Sequence, residues 1–232
     1  MASTSSRSHP KKVSCAMLQA KIEQLQQANL QLRHDLLQPL TAARLFTSAL
    51  LEREPLTATA ALVRQVNESL ADAQKLLDEL LWDSSSEASV PEPAVMPDSL
   101  ALIQPLAGAR IWVLDNDASI CLGMRLLLEG WGCQVVTAAS EAELLCQVAN
   151  AGGDADLLIV DYHLQDGRTG INAVSSINAS RPLPLPVLMV TANHSDELKQ
   201  QLREQGHGLL HKPVAPAKLR AILVHLLSAA RH

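Results

Sequence analysis

Between residues 109 and 230, five short apolar segments alternate with five stretches of helical periodicity. Such an alternation is typical of a doubly wound α/β domain with a parallel sheet. Five strands and five helices in a stretch of this length predict one compact domain. The strand segments are RIWVLD, CQVVTA, DLLIVD, PVLMVT and GLLHK, and the helices are expected near 118–129, 140–150, 169–179, 195–205 and 216–229.

The ends of these strands carry polar residues that apolar packing does not require. In an open parallel sheet, ligands bind outside the carboxyl ends of the strands, where the strand order reverses. We therefore expect these side chains to converge on one cleft. Clustered carboxylates repel each other unless a cation joins them, and an all-oxygen site suits Mg²⁺. The residues are Asp115, Asn116 and Asp117 after the first strand, Asp161 after the third, Thr191 after the fourth and Lys212 after the fifth.

In this order the strand ends resemble those of the receiver domain of two-component response regulators, over about residues 109–230. The strings LLIVDYHLQDG and LLHKPV are similar to the family's usual ones. The resemblance implies a flavodoxin-like fold in which Asp161 accepts a phosphoryl group as an acyl phosphate. It implies that Mg²⁺ and Lys212 neutralise the transferring oxygens and that Thr191 donates to a phosphoryl oxygen. The backbone carbonyl of His163 is expected as a metal ligand.

Two positions depart from the family pattern. An amide, Asn116, stands where the family usually has a second acid, which favours a lower magnesium affinity. Leu209 stands where the family often has an aromatic partner for the switch threonine. We therefore expect phosphorylation without the usual threonine–aromatic switch. Taken singly, a strand-end Asp is more often a loop cap and Lys-Pro a helix connection, and it is the ordered set that favours the functional interpretation.

The region 16–83 has a different periodicity, with apolar residues at steps of three and four. Such a seam is typical of a coiled coil, and a polar Asn29 within it can set the register. Pro39 is expected to kink the first helix, which should end at 52–55 before a second helix begins near Thr57. Two narrow seams predict an antiparallel hairpin that dimerises into a four-helix bundle. The first seam consists of Leu18, Ile22, Leu25, Asn29, Leu32 and Leu36.

His34 falls opposite this seam, so we expect it on the outward, exposed face of the bundle. The neighbouring Asp35 can orient the imidazole for nucleophilic attack. HDLLQPL and the later LLDELL resemble the dimerisation and histidine-phosphotransfer domain of histidine kinases, which makes His34 a candidate phosphohistidine. Gln38 could align a hydrolytic water, although it could equally be an exposed helix former. A solvated histidine in a plain coiled coil is the alternative for His34.

Composition excludes several classes of function. The net charge of −5 argues against a nucleic-acid partner. Four cysteines without a CxxC pair favour buried free thiols over a disulfide framework or a zinc site. No apolar run long enough for a membrane span and no signal peptide are evident, so a cytoplasmic protein is expected. Residues 1–15 are expected to be disordered, and 84–108, rich in Pro and Ser, to form a linker.

The predicted function is two-component phosphorelay signalling. The linker is too short to hold an ATP-binding domain, so no autonomous kinase activity is expected. A separate sensor histidine kinase or phosphotransfer protein would phosphorylate the chain, which would exchange the group between Asp161 and His34. Three alternatives remain: a non-enzymatic decoy that pairs with a hybrid kinase, a remnant of such a kinase, and a phosphatase that uses Asp35 and Gln38.

Overall fold

The computed structural model describes residues 10–53, 63–73, 106–151, 154–164, 167–179 and 181–229. A helix of 44 residues, α1, precedes a short helical segment, α2, and an α/β domain. The elements are α1 (Pro10–Arg53), α2 (63–73), β1 (Arg110–Leu114), α3 (Ala118–Gly130), β2 (Gln134–Ala138), α4 (Glu141–Ala151), β3 (Leu157–Asp161), α5 (Gly170–Ala179), β4 (Val187–Thr191), α6 (Asp196–Glu204), β5 (Gly208–His211) and α7 (Pro216–Ala229).

The five strands form one parallel sheet in the order β2-β1-β3-β4-β5. The strand order reverses between β1 and β3, which is where a sheet of this kind binds its ligands. Every residue of β3 and β4 is buried, because helices cover both faces of the sheet. The predicted doubly wound five-stranded fold is confirmed, and all ten predicted elements of the domain lie within one or two residues of their expected bounds.

Helix α1 packs on the α/β domain through one face. The residues of this face recur at steps of three and four, which is the period of one side of a helix. The face extends the core that α3 and α7 build on one side of the sheet. Its buried members are His34, Leu37, Thr41, Ala42, Leu45, Ser48 and Ala49.

The opposite face of α1 is the predicted seam. Its apolar residues are exposed in the single chain, in contrast to the stripe that faces the α/β domain. Near the end of the helix, Thr47 donates a hydrogen bond of 3.0 Å to Asn67 of α2, so the second helix lies beside α1. The exposed seam residues are Leu18, Ile22, Leu25, Leu32 and Leu36.

Two boundaries differ from the expected ones. α1 begins at Pro10, inside the segment 1–15 that was predicted to be disordered. Proline suits a first helical position, because the amide hydrogen it lacks would have no partner there. The α/β domain begins at least as early as Leu106, which is fully buried and whose carbonyl lies 3.4 Å from Cys133 Sγ. Residues 84–105 of the expected linker (84–108), and the helix ends expected within 54–62 and 74–83, lie outside the described residues.

Two further expectations concern the thiols and the membrane. Cys121 and Cys133 are buried free thiols, as predicted, whereas Cys146 is exposed. The expectation of buried thiols is wrong for Cys146, since this position of α4 faces away from the sheet. Among the described helices, none combines the length and the apolar character that a bilayer crossing requires.

Candidate functional site

A lysine and two carboxylates meet at the carboxyl edge of the sheet. Lys212 Nζ lies 2.9 Å from Asp161 Oδ2 and 3.3 Å from Asp115 Oδ2. Lys212 is only 1% exposed and Asp161 only 2%. Asp115 follows β1, Asp161 ends β3, and Lys212 follows β5, so three separate strands contribute one group each. The structure therefore brings these three residues together, as the sequence predicts.

The other predicted strand-end residues lie around this group in different ways. Thr191 is buried at the end of β4, and its Oγ1 accepts a hydrogen bond from the Asn193 amide at 3.0 Å. Asn116 Oδ1 is buried and has no hydrogen-bond partner among the described residues. Asp117 instead caps α3, since its Oδ1 accepts from the amides of Ser119 and Ile120 at 2.7 and 3.2 Å. Its role as a magnesium ligand stays a prediction.

His34 of α1 lies directly over the carboxylate of Asp161. Its Nε2 is 3.6 Å from Asp161 Oδ2, and its Nδ1 is 3.4 Å from Asp35 Oδ1. The residue is 8% exposed. The expectation that His34 is solvent-exposed is therefore wrong for the described chain. His34 does lie opposite the seam, but the α/β domain covers that face.

The charges of the cluster shift one another's pKa. Burial raises the pKa of Asp115 to about 6, against the opposing charge of Lys212. Burial also acts to raise the pKa of Asp161, but the contact with His34 and the charge of Lys212 outweigh it, so this pKa is lowered. The contact with Asp161 raises the pKa of His34. Asp161 is thus held as the ionised carboxylate, the form that a nucleophile needs.

The oxygen donors of the site fit a hard divalent cation. Mg²⁺ usually takes one or two protein carboxylates and keeps several waters. Asp115 and Asp161 supply two carboxylates, and the unpaired Oδ1 atoms of Asn116 and Asp161 are buried acceptors that a cation would satisfy. Across the described ranges, no cluster of three or more His, Cys, Asp or Glu side chains is arranged to hold a metal by itself. An ion here would depend on two carboxylates, an amide or backbone oxygen, and water.

Two residues of the site and one residue of the contact between α1 and α3 were missed by sequence reasoning. Arg33 is buried beside His34. The imidazole of His163, of which only the backbone carbonyl was considered, contacts that of His34, with ring centroids 5.6 Å apart. Gly123 lies where α1 crosses α3. A glycine inside the amphipathic helix ASICLGMRLLLEG was the one available signal, since an interior glycine often marks a close approach.

Comparison with known proteins assigns the α/β domain. Residues 111–224 match the family described as the response regulator receiver domain. The phyllosphere-induced regulator PhyR of Methylorubrum extorquens is 25% identical over 118 residues, which are 51% of this chain and 43% of PhyR. The transcriptional regulatory protein ZraR of Escherichia coli K12 is 34% identical over 119 residues, 51% of this chain and 26% of ZraR. The matches span less than half the length of these relatives.

Solved structures of receiver domains are also similar to this part of the chain. A CheY-like receiver domain protein from Methanospirillum hungatei is 26% identical with a TM-score of 0.47, over 54% of this chain and 98% of that one. The chemotaxis protein CheY4 of Vibrio cholerae is 28% identical with a TM-score of 0.45, over 52% and 99%. Together with the family match and the five-stranded parallel sheet, the buried acid–lysine cluster leads to one conclusion: residues 111–224 are a response regulator receiver domain.

Proposed function

We propose that the protein acts in two-component phosphorelay signalling, with Asp161 as phosphoryl acceptor and His34 of the same chain as its exchange partner. The observation that carries the proposal is the 3.6 Å separation between His34 Nε2 and Asp161 Oδ2. A buried histidine with only a packing role has no need to direct a ring nitrogen at a carboxylate. A phosphoryl relay does need its two nucleophiles aimed at each other at short range.

The surrounding residues support transfer between these atoms. A neutral His34 with its proton on Nδ1, 3.4 Å from Asp35 Oδ1, has its Nε2 lone pair available for the phosphoryl group on Asp161. Lys212 can neutralise charge on the transferring oxygens from its position 2.9 Å from Asp161. Thr191, buried at the neighbouring strand end, is the proposed donor to a phosphoryl oxygen. Together these residues orient the group and stabilise its charge.

Magnesium is the cofactor that we propose for the site. The ion, when bound, would add positive charge next to the phosphoryl oxygens. Asp115, Asp161 and the amide oxygen of Asn116 would hold it, and the backbone carbonyl of His163 stays a predicted fourth ligand. The buried, unpaired oxygens described above support this assignment.

The phosphoryl group is proposed to come from a separate sensor histidine kinase or phosphotransfer protein. Residues 74–105, between α2 and the receiver, are too few for an ATP-binding domain of about 100 residues or more. Incubation with radiolabelled ATP alone should therefore leave the chain unlabelled. Labelling under these conditions would contradict the proposed dependence on a separate donor.

The exchange itself is testable with acetyl [³²P]phosphate, a small acyl phosphate, in the presence of Mg²⁺. The label should enter at Asp161 and be absent from Asp161→Asn. An acyl phosphate is cleaved in alkali and a phosphohistidine is not, so the alkali-stable fraction reports His34. This fraction should disappear in His34→Gln. A wild-type chain without alkali-stable label, or a His34→Gln variant that keeps it, would contradict the exchange.

We also propose that two copies pair through the seam of α1. A row of exposed apolar residues on a long helix, interrupted by one Asn at position 29, is suited to a helical partner with the same pattern. The same helix buries its opposite face on the receiver, so pairing through the seam and docking on the receiver are compatible. The unit would then be a homodimer with a receiver on each outer side.

A phosphatase role is the second candidate. Gln38 lies one turn after His34, and its Nε2 is buried without a hydrogen-bond partner among the described residues. When Asp161 carries a phosphoryl group, this unpaired amide could orient a water for its hydrolysis. Gln38→Ala should then lengthen the lifetime of phosphorylated Asp161, measured after removal of acetyl phosphate. An unchanged lifetime would leave Gln38 as a packing residue of α1.

A further inference from the structure

The imidazole of His163 faces that of His34 across the contact between α1 and the receiver. The two ring centroids are 5.6 Å apart and the ring planes are inclined by 59°. The edge of the neighbouring Tyr162 ring meets the same imidazole, with centroids 4.9 Å apart and an angle of 79°. His163 is therefore in contact with two rings, one from its own domain and one from α1.

The backbone that carries His163 is held in place on both sides. The amide of Tyr162 donates to the carbonyl of Val190 at 2.8 Å, and the amide of Gly170 donates to the carbonyl of Tyr162 at 2.8 Å. His163 itself forms an isolated antiparallel bridge with Thr169. The ring of His163 is thus attached to a fixed part of the receiver, which makes it a firm support for a second ring.

Other restraints on the His34 ring are weaker or take part in the reaction. The side chain of Asp35 is 60% exposed, so water competes for its contact with Nδ1. Asp161 faces Nε2, but this carboxylate changes its charge and size whenever it carries the phosphoryl group. Neither group can keep the imidazole in one orientation throughout the exchange. The contact with His163 does not involve a reacting atom.

We propose that the His163 side chain is a positioning residue that holds the His34 imidazole with Nε2 directed at Asp161. The proposal rests on the proposed exchange and adds a role that the backbone carbonyl of His163 does not have. In the transfer step, the bond between phosphorus and Asp161 breaks, and a bond between phosphorus and His34 Nε2 forms. The electron pair returns to the carboxylate, and the Nδ1 proton stays on His34. His163 forms no bond and exchanges no proton.

Two substitutions separate ring packing from other effects. His163→Phe keeps an aromatic ring without nitrogen, and His163→Ala removes the ring. The full chain is labelled with acetyl [³²P]phosphate and Mg²⁺, quenched at short times and treated with alkali. For each variant, the rate of formation of alkali-stable label is divided by the rate of labelling at Asp161. This ratio corrects for any effect of the substitution on the acceptor site itself.

The expected ratio for His163→Ala is about tenfold or more below that of the wild type, since small misalignments cost up to about a hundredfold in oriented reactions. His163→Phe is expected within about threefold of the wild type, because the ring contact persists. A wild-type ratio in His163→Ala overturns the proposal. A ratio for His163→Phe as low as that for His163→Ala also overturns it, since the nitrogen rather than the packing would then matter.

A spectroscopic measurement tests the ring contact without the exchange. In a ¹H–¹³C correlation spectrum, the Cε1–H signal of His34 is identified by its loss in His34→Gln. His163→Ala should shift this signal, and His163→Phe should leave an aromatic ring-current contribution. An unchanged signal in His163→Ala overturns the positioning role. If the exchange itself fails, the wild type shows no alkali-stable label, a result different from equally fast exchange in wild type and His163→Ala.

Discussion

Gly123 of α3 lies against Leu45 of α1 so closely that a Cβ atom at position 123 would be 2.8 Å from Leu45 Cβ. Separations this short are not found between real side chains, so the contact exists only because residue 123 is glycine. An interior glycine costs a helix about 1 kcal/mol relative to alanine. The close approach of α1 is the compensating feature that we find for this glycine.

Gly123→Ala should loosen α1 while α3 itself stays folded. Overpacking typically costs about 1–3 kcal/mol, and here the strain falls on the contact with α1. The intrinsic helix preference of alanine favours α3, so the two helices should respond in opposite directions. Hydrogen exchange measured by mass spectrometry should show faster exchange for α1 peptides and unchanged or slower exchange for α3.

Gly130→Ala is the matched control for this change. It makes the same substitution in the same helix, but its Cβ would lie 3.6 Å from Glu52 Cβ, an ordinary contact distance. Exchange of α1 should therefore stay at the wild-type rate. Equal acceleration of α1 in both variants would show that the tight contact at Gly123 is not what secures the helix.

Leu45→Ala should speed the labelling of Asp161 by acetyl phosphate. Asp161 is 2% exposed beneath α1, so a small donor reaches it more often when the helix detaches more often. Truncation of a buried leucine typically costs about 2–5 kcal/mol, and a share of this loss falls on the docked state. Leu50→Ala in the same helix is the control, because Leu50 is 55% exposed. Slower labelling in Leu45→Ala than in Leu50→Ala would contradict the role of α1 as a cover.

Lys212→Met should destabilise the receiver strongly. The substitution leaves Asp115 and Asp161 buried together without their shared cation, and the loss of one partner of a buried ion pair typically costs about 3–5 kcal/mol. The free energy of unfolding in urea measures this loss. In the double variant with Asp161→Asn, part of the stability should return, since only one buried carboxylate remains. A double variant whose cost is the simple sum of the two would show that these residues are not coupled.

Low pH should destabilise the protein through two stacked histidines. The rings of His194 and His211 lie parallel with centroids 3.9 Å apart. Burial lowers the pKa of His194 to about 3 and that of His211 to about 4, and the charges of Arg33 from α1, Lys199 from α6 and Lys218 from α7 act in the same direction. Both rings are therefore neutral in the folded protein while the unfolded chain binds protons below about pH 6.5.

The sign of the effect follows from this difference in bound protons. The stability that depends on the neutral pair is complete above about pH 6.5 and decreases as the pH falls towards 4, by up to about 1.4 kcal/mol per pH unit for each histidine. Urea unfolding at pH 7.5 and pH 5.5 measures the decrease. The double variant His194→Gln/His211→Gln should lose less stability between these two values than the wild type. Equal losses would exclude the pair as a source of acid sensitivity.

Charge placed on the seam of α1 should separate the proposed dimer. Leu25→Glu and Leu32→Glu put a carboxylate into an apolar helix contact, where it has no partner. Sedimentation velocity should show a shift from dimer to monomer. Gln27→Glu adds the same charge at an exposed position of the same helix outside the seam and should leave the dimer intact. A wild-type chain that sediments as a monomer at micromolar concentration would contradict the proposed pairing.

The receiver domain could be predicted from the sequence because the residue patterns that define it are local. Strand periodicity and the strand-end rule together predict that Asp115, Asp161 and Lys212 form one cluster. The position of α1 on the receiver could not be predicted, since helical periodicity identifies an apolar face but not the surface that covers it. His34 was thus correctly placed opposite the seam and wrongly expected in solvent. The contact between His163 and His34 joins residues far apart in the chain, and no local pattern encodes it.

The short distance between His34 and Asp161 has a mechanical consequence. In a reactive arrangement, the phosphorus lies about 3–3.5 Å from the incoming atom, and its bond to the other atom adds further length. The 3.6 Å gap between the unmodified side chains must widen before it can hold that arrangement. Whenever the group occupies the site, α1 must therefore move outwards and carry His34 with it, so a chemical modification on Asp161 displaces a helix of 44 residues.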